Sequence, residues 1–140
     1  MSDFSAFFAR NKKKHDNLKY VASQDFVDAN GKPIEWEIKR LSARDDEQIR
    51  RAATKQIKIR NGSTRSEMDT NVYLRKLTVA AIAYPNLNDA ALQNEYDVMG
   101  ADDLLMEMLT PGEYAELSTK VTEFNGFNVS MQELVDEAKN

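Results

Sequence analysis

The sequence predicts an α+β fold, mainly α, in which an N-terminal β-hairpin packs on a bundle of short helices. Three observations lead to this prediction. Residues 70–84 contain few charges and no Gly, and their apolar side chains recur at the three- and four-residue spacing of one helix face. Residues 34–38 alternate apolar and charged side chains, as a half-buried strand does. Residues 86–140 contain three separate helix-start patterns.

The length of 140 residues fits a single domain covering residues 1–140. We divide it into an N-terminal helix with a basic end (1–17), a β-hairpin (18–41) and a helical body (42–140). The net charge of −4 conceals an asymmetry. Residues 1–85 hold 17 Lys and Arg against 11 Asp and Glu, whereas residues 86–140 hold 2 against 12, so the halves have opposite charge.

The first predicted element is a helix over residues 3–14. Asp3 can cap its start, and Phe4, Phe7 and Phe8 fall on one face at positions i, i+3 and i+4. Two interpretations of these phenylalanines stay open. Either they dock on the core of the domain, or they form a partner-binding face, since exposed aromatic patches mark interaction sites.

Residues 18–41 form the predicted hairpin. Asn30-Gly31 supplies its turn signal, because both residues tolerate positive φ. Beyond the turn, the alternating stretch places Trp36 and Ile38 on the same face of a strand. Trp36 is the only tryptophan, and we predict that it anchors the core, because burial is where a large aromatic side chain contributes most.

A second helix is predicted to begin after Ser42, which forms an S-x-x-D capping pattern with Asp45. We extend this basic helix over residues 42–60 and place Arg50 and Arg51 on it. A basic helix can track phosphates, so a small nucleic-acid-binding regulator is an alternative function. Against it, the pI is about 5.1 and residues 42–60 contain no aromatic side chain to stack on bases.

A polar loop over residues 60–66 precedes the central core helix, which we predict over residues 70–84. Thr70 can cap its start, and Pro85 favours an end there, because the residue before a proline is pushed out of the α region. The apolar part of this helix is shorter than the ~20 residues of a membrane span and carries two charges, so no membrane segment is predicted.

The second half is predicted to contain a helix over residues 89–96, capped by Asn88, and a helix over residues 101–109. A further helix begins at Pro111, with a capping box formed by Thr110 and Glu113, and a last one begins at Ser130, which forms another capping box with Glu133. Methionines are frequent here. Flexible thioethers adapt to irregular partners, so the face containing Met106 and Met108 is a second candidate binding surface. Ordinary core filling is the alternative interpretation of these methionines.

Nothing in the sequence predicts a reactive centre. The chain has no cysteine and a single histidine, His15, which removes thiolate catalysis, Cys-ligated zinc and an acid–base pair of histidines. Neither a Gly-rich phosphate loop nor a calcium-binding loop pattern is present. We therefore predict that the chain is not an enzyme and has no catalytic residue, cofactor or metal site.

Two phrases around prolines are the most specific landmarks: Tyr84-Pro85-Asn86-Leu87-Asn88-Asp89 and Leu109-Thr110-Pro111-Gly112-Glu113-Tyr114. Others are Phe4-Ser5-Ala6-Phe7-Phe8 at the start and Gly31-Lys32-Pro33-Ile34-Glu35-Trp36 in the hairpin. Together these landmarks resemble the XkdN-like tail assembly chaperones of long-tailed phages and of defective prophages in Gram-positive bacteria. The resemblance covers nearly the whole chain.

The resemblance implies a non-enzymatic chaperone in the host bacterial cytoplasm, absent from the mature particle. Such proteins bind the long, helical tape-measure protein and keep it soluble until the tail tube polymerises around it. The tail tube protein and a second copy of the chain are further candidate partners, and a structural tail component is a further alternative function. From the residue patterns, the side chains we expect at the partner-binding surface are Phe4, Phe7, Phe8, Met106 and Met108, with Arg50 and Arg51 steering the encounter.

Overall fold

The computed structural model describes residues 3–127, which form an α+β fold with two small sheets. Two 3₁₀ turns, Phe4–Phe7 and Ala9–Asn11, come first. The remaining elements, in chain order, are β1 (Leu18–Tyr20), β2 (Trp36–Ile38), α1 (Ala43–Ala52), β3 (Thr54–Lys58), β4 (Thr64–Met68), α2 (Thr70–Ala81), β5 (Ile82–Tyr84), α3 (Ala90–Glu95), α4 (Ala101–Met108) and α5 (Pro111–Phe124). The helix predicted from Ser130 lies outside the described residues.

Helix α2 is the centre of the fold, as the sequence predicts. It contacts α1, α4 and α5, and Tyr73, Leu74 and Leu77 on it are fully buried. The other buried apolar side chains of the described residues join them in one cluster, which includes Trp36 as the predicted core anchor. Helix α2 therefore carries the contacts that hold α1, α4 and α5 in place. The assignment of residues 1–140 to a single domain stays a prediction.

The last turn predicted for this helix is wrong, because residues 82–84 form strand β5. The backbone N–H of Lys39 donates to the carbonyl of Ala81 at 2.8 Å, and Ile82 lies opposite Ile38 in the sheet. Strand pairing satisfies these backbone groups as a further helical turn would have done, and β-branched Ile82 suits a strand. Tyr84 is extended before Pro85, as the restriction on residues preceding proline requires.

Strands β1, β2 and β5 form an antiparallel sheet in the order β1-β2-β5. The central strand β2 buries Trp36 and Ile38 and leaves Glu37 partly exposed, which confirms the predicted alternation. The predicted N-terminal hairpin is therefore not a separate unit, because β2 also pairs with the strand after α2. The predicted turn lies between β1 and β2, where Gly31 has a φ of +79°.

The N-terminal helix predicted over residues 3–14 is wrong. Only the two 3₁₀ turns form, because Phe8 between them is extended, with a ψ of 142°. The Asn11 side-chain amide donates to the Ser5 carbonyl at 2.8 Å and holds the two turns together. Short 3₁₀ turns cannot present three side chains on one continuous stripe as an α-helix does, so the predicted single face is split.

The basic helix predicted over residues 42–60 is also wrong in its second half. Helix α1 ends at Ala52, and the Thr54 hydroxyl donates to the last turn of the helix, at the Arg50 carbonyl (2.6 Å). Strands β3 and β4 then form a two-stranded ribbon with most of its side chains exposed. Asn61-Gly62 lies at its tip, with Gly62 at a φ of +83°, and is the same turn signal that the first hairpin carries.

Two predicted helix caps are displaced by one residue. Asp69 rather than Thr70 caps α2, and Asp89 rather than Asn88 caps α3. In both helices the aspartate carboxylate accepts the N–H of the third helical residue, at 3.1 Å and 2.8 Å. An ionised carboxylate satisfies this N–H and also favours the positive end of the helix dipole, which explains the preference for aspartate in both places.

Two of the predicted capping boxes are confirmed, at Ser42 with Asp45 and at Thr110 with Glu113, and the one at Ser130 lies outside the described residues. In the second box the Glu113 carboxylate accepts the Thr110 N–H at 2.9 Å, and the Thr110 hydroxyl accepts the Glu113 N–H at 3.2 Å. The hydrogen bond from Thr110 lowers the pKa of Glu113 below its ordinary value. The charged form of Glu113 is therefore favoured in the folded state.

This lowered pKa predicts a pH-dependent contribution to stability. It is fully present above the ordinary pKa of the carboxyl and is lost as the pH falls through the folded-state value. In Glu113→Gln the free energy of unfolding should therefore fall short of the wild type at pH 7, and the deficit should shrink towards pH ~3. Chemical denaturation at both pH values measures it. Glu123→Gln, at the other end of α5, is the control, and an equal deficit at both pH values would contradict the prediction.

Candidate functional site

A cleft of about 380 Å³ opens between α2, α4 and the first two turns of α5. We call it the α2–α4–α5 cleft. Five of the side chains that line it are apolar: Leu74, Met106, Leu109, Pro111 and Ala115. Leu74 and Leu109 are buried at its base, whereas Met106 is 38% exposed at its rim. An open concave surface with an apolar base is the shape of a binding site.

The local sequence explains why the cleft is there. Helix α4 ends at Met108, and Pro111 begins α5 after only two residues, so the chain turns sharply between the two helices. The side chains of α5 that face α2 at this level, Ala115 and Ser118, are small. They leave a space that leucines at the same positions would fill, and the cleft is the result.

At the deep end of the cleft, the polar side chains form hydrogen bonds within the fold. The hydroxyls of Thr78 and Ser118 lie 3.0 Å apart, and the Thr78 hydroxyl donates to the Leu74 carbonyl at 2.7 Å. Tyr114 stands beside them, and its burial raises the pKa of its phenol. The phenol is therefore neutral at physiological pH, and this end of the cleft offers no charge to a partner.

Arg75 is the exception on the polar wall. Its side chain lines the cleft, and its Nε atom is buried and has no hydrogen-bond partner among residues 3–127. The next residue, Lys76, has a partner, because its amino group lies 3.0 Å from the Asp102 carboxylate. Of these two neighbouring cations on α2, one is therefore paired within the fold and the other is directed to the cleft.

The predicted phenylalanines lie mainly on the surface. Phe4 is 73% exposed and Phe7 is 84% exposed, so neither docks on the core. Phe8 is only partly exposed: its ring packs edge to face on Phe4, with centroids 5.7 Å apart, and Arg10 lies 4.7 Å from its centre. Phe4 and Phe8 are therefore in ring contact, while Phe4 and Phe7 offer the accessible aromatic surface, which we call the aromatic patch; the role of the three residues in binding stays a prediction.

The two predicted methionines do not share a site. Met106 lines the α2–α4–α5 cleft, whereas Met108 is partly buried and packs against the core cluster without lining the cleft. On a helix, residues two apart point in different directions, which is why the pair separates. Only Met106 is therefore placed to contact a partner in the cleft.

Arg50 is held within the fold. Its Nε donates to the Asp46 carboxylate at 2.9 Å, one of its terminal nitrogens donates to the Tyr73 hydroxyl at 3.3 Å, and its guanidinium lies 4.6 Å from the centre of the Tyr73 ring. The hydrogen bond to Asp46 raises the pKa of Arg50, and burial raises the pKa of Tyr73. Arg51 pairs with Glu47 on the exposed side of α1. These contacts give no support to the alternative in which the two arginines track phosphates.

The adjacent arginines are expected to differ in their effect on stability. Arg50→Ala removes the hydrogen bonds to Asp46 and Tyr73 and the ring contact, so its free energy of unfolding should fall by about 1–3 kcal/mol. Arg51→Ala breaks only an exposed pair and should stay within about 0.5 kcal/mol of the wild type. Urea denaturation of both variants measures the difference. Equal losses would show that the Arg50 network does not stabilise the fold.

Two other classes of site, a metal centre and a membrane-spanning helix, are not found in residues 3–127. No group of three or more His, Asp or Glu side chains there is arranged to hold a metal ion. None of the helices in that part of the chain combines the length and apolar character needed to cross a membrane. The α2–α4–α5 cleft is therefore the most developed candidate site, with the exposed aromatic patch as a second surface.

Sequence reasoning found Met106 but missed Arg75, Tyr114 and Ala115. One signal for Arg75 was available: with Lys76, it is one of only two charged residues in a helix that is buried on several sides. A cation in such a place either has a partner within the fold or faces an opening. Ala115 carried no signal, because a small residue marks a cleft only once the neighbouring helices are known.

The comparison with known proteins agrees with the fold. The protein YqbN of Bacillus subtilis (strain 168), an uncharacterized protein, is 23% identical over 99% of this chain and 93% of its own length. The crystal structure of YqbN superposes with a TM-score of 0.78 at 21% identity and covers 91% of this chain and 99% of that chain. The two proteins share a fold.

The family is shown by two further findings. The phage-like element PBSX protein XkdN of Bacillus subtilis (strain 168) is 23% identical over 99% of this chain and 94% of its own length. The family model of the phage XkdN-like tail assembly chaperone proteins matches residues 4–139. The match spans nearly the whole chain, as the resemblance in the sequence predicts. The chain therefore belongs to the family of XkdN-like phage tail assembly chaperones.

Proposed function

We propose that this chaperone binds the tape-measure protein in the host cytoplasm, keeps it soluble until the tail tube polymerises around it, and is then released. Membership of a tail assembly chaperone family supports the general role. The observation that carries the specific proposal is the α2–α4–α5 cleft, an open apolar surface between helices that no other described element fills.

The chemistry of the cleft suits a helical client. A long helical protein without its tube exposes apolar side chains along one face, and a cleft with an apolar base can take one such side chain at a time. The rim residue Met106 is flexible and adapts to side chains of different shapes, which favours binding to many similar segments of one long partner. Because each contact is small, binding stays reversible, as release during tube assembly requires.

The aromatic patch provides a second contact in this proposal. Phe4 and Phe7 together expose large apolar surfaces that water does not favour, and they are presented on short turns close to the chain terminus. Two weak contacts on one chaperone bind a long partner more tightly than either does alone, provided that the partner spans both. The proposal therefore uses the cleft for recognition and the patch for additional affinity.

Co-expression with the tape-measure protein of the same phage or prophage tests the function. We expect the tape-measure protein to move from the insoluble to the soluble fraction and to co-purify with the chaperone. A tape-measure protein that stays insoluble, or that never co-purifies, would contradict the proposal. Mass spectrometry of purified particles separates a chaperone from a structural tail component, since only the structural component would be present in the particle.

A further inference from the structure

We infer that the α2–α4–α5 cleft binds a helical segment in which a carboxylate lies beside a large apolar side chain, with Arg75 as the partner of that carboxylate. The inference rests on the proposed function, because it requires the cleft to hold part of another polypeptide. It adds the chemical class of the segment that is recognised, which neither the family nor the fold specifies.

Arg75 lines the cleft with no partner from the described part of the fold. A guanidinium has five N–H donors, and burying one of them without an acceptor costs free energy that a structural residue would avoid. Among residues 3–127, Arg75 has no ion pair, and its buried Nε has no hydrogen-bond partner. This burial closes Nε itself to a partner, so an acceptor from outside the fold would meet the terminal nitrogens of Arg75, and a carboxylate can accept a hydrogen bond from each of them.

The first turn of α5 borders the same cleft. Thr110 and Pro111 line it, and they stand at the positive end of a helix of 14 residues. The acidic side chain in this first turn, Glu113, is already used in the capping box. The guanidinium and the helix end therefore border one cleft from two different helices, and each favours a negatively charged group.

The guanidinium of Arg75 and the apolar base of the cleft are adjacent. Leu74 and Arg75 are consecutive, and Met106 and Ala115 line the same opening. A ligand that fills the base therefore places its next polar group close to the guanidinium. Residues three or four apart on a helix lie about 5–6 Å apart, so an apolar side chain at one position and a carboxylate three or four residues away would engage both features together.

The charge of the second half makes this recognition selective. Residues 86–140 hold 12 Asp and Glu against 2 Lys and Arg, so the net charge of this half as a whole disfavours an acidic segment. Among the residues that the structure describes, Arg75 is the only cationic side chain that lines the cleft. A carboxylate of the partner is therefore stabilised in the cleft only when it reaches Arg75. This favours one register of the partner helix over the neighbouring registers.

The experiment uses the full ¹⁵N-labelled chain and overlapping helical peptides that tile the tape-measure protein. Peptides that bind the cleft should shift the Nε–H resonance of Arg75 and the amide resonance of Ala115. For such a peptide, replacing the nearby Asp or Glu with the amide should weaken binding by about tenfold in the wild type and very little in Arg75→Gln. Lys76→Gln removes the adjacent charge and is the matched control, which should retain the full tenfold difference.

Arg75→Gln is expected to fold normally, because the guanidinium it removes has no ion pair in the described part of the chain; thermal unfolding checks this. The outcomes separate the two proposals. Cleft-binding peptides whose affinity does not change when the Asp or Glu is replaced by its amide would overturn the inference. The proposed chaperone function would not be affected by that result. Peptides that bind without shifting Arg75 would overturn it as well. A tape-measure protein that the wild-type chain never keeps soluble counts against the proposed function itself.

Discussion

Ala115→Trp is expected to abolish the solubilisation of the tape-measure protein in co-expression. Ala115 lies partly exposed on α5 and lines the α2–α4–α5 cleft. An indole at this position would occupy the space that we assign to the client side chain, and the cleft is open enough to accept it without displacing the core. The soluble fraction of the tape-measure protein, measured after centrifugation, should fall to the level seen without the chaperone.

The control is the same substitution at Ala91, which is exposed on α3 and does not line the cleft. Ala91→Trp should leave the tape-measure protein as soluble as the wild-type chaperone does. Circular dichroism and thermal unfolding of both variants establish that they are folded. A folded Ala115→Trp variant that still solubilises its client would show that the chaperone uses another surface, of which the Phe4 and Phe7 patch is the next to be tested.

Leu77→Ala is expected to produce the largest loss of stability, because Leu77 has no exposed surface and sits on the central helix between the elements that pack on α2. Removing its side chain leaves a cavity in the middle of the core cluster, which should lower the free energy of unfolding by about 2–5 kcal/mol. Domains of this size are commonly stable by about 5–15 kcal/mol, so the change is a large share of the total.

The single tryptophan makes this measurement direct. Trp36 is buried in the same cluster, so its fluorescence reports exposure of the core during urea denaturation in both proteins. Met99→Ala is the control, since Met99 is 92% exposed and its truncation should change the free energy of unfolding by no more than about 0.5 kcal/mol. A Leu77→Ala variant as stable as this control would mean that α2 is not the centre of the core.

Features that depend on neighbouring residues could be predicted from the sequence. The capping boxes at Ser42 and Thr110 are correct because each joins residues three positions apart, and the burial of Trp36 and Ile38 follows from their alternation with charges. Asn61-Gly62 could have been recognised in the same way. The Asn-Gly turn signal is present in the sequence, but the helix predicted over residues 42–60 includes the residues that form β3.

Features that depend on distant residues could not be predicted in this way. Residues 82–84 continue a helical pattern, and they form a strand only because β2 presents an edge that they can pair with. The same limit applies to the split of the N-terminal helix. Short segments with weak preferences adopt whichever conformation the rest of the fold can satisfy, which a pattern within the segment does not reveal.

The sequence by itself determined the class of this protein: an α+β chain built around the helix that begins at Thr70 and similar throughout to tail assembly chaperones. Only the tertiary structure decided where a partner can bind. The α2–α4–α5 cleft combines Arg75 from one helix, Met106 from a second and Ala115 from a third. These side chains are far apart in the sequence and come together only because the helices pack. The positions of the residues along the chain therefore do not predict the cleft between them.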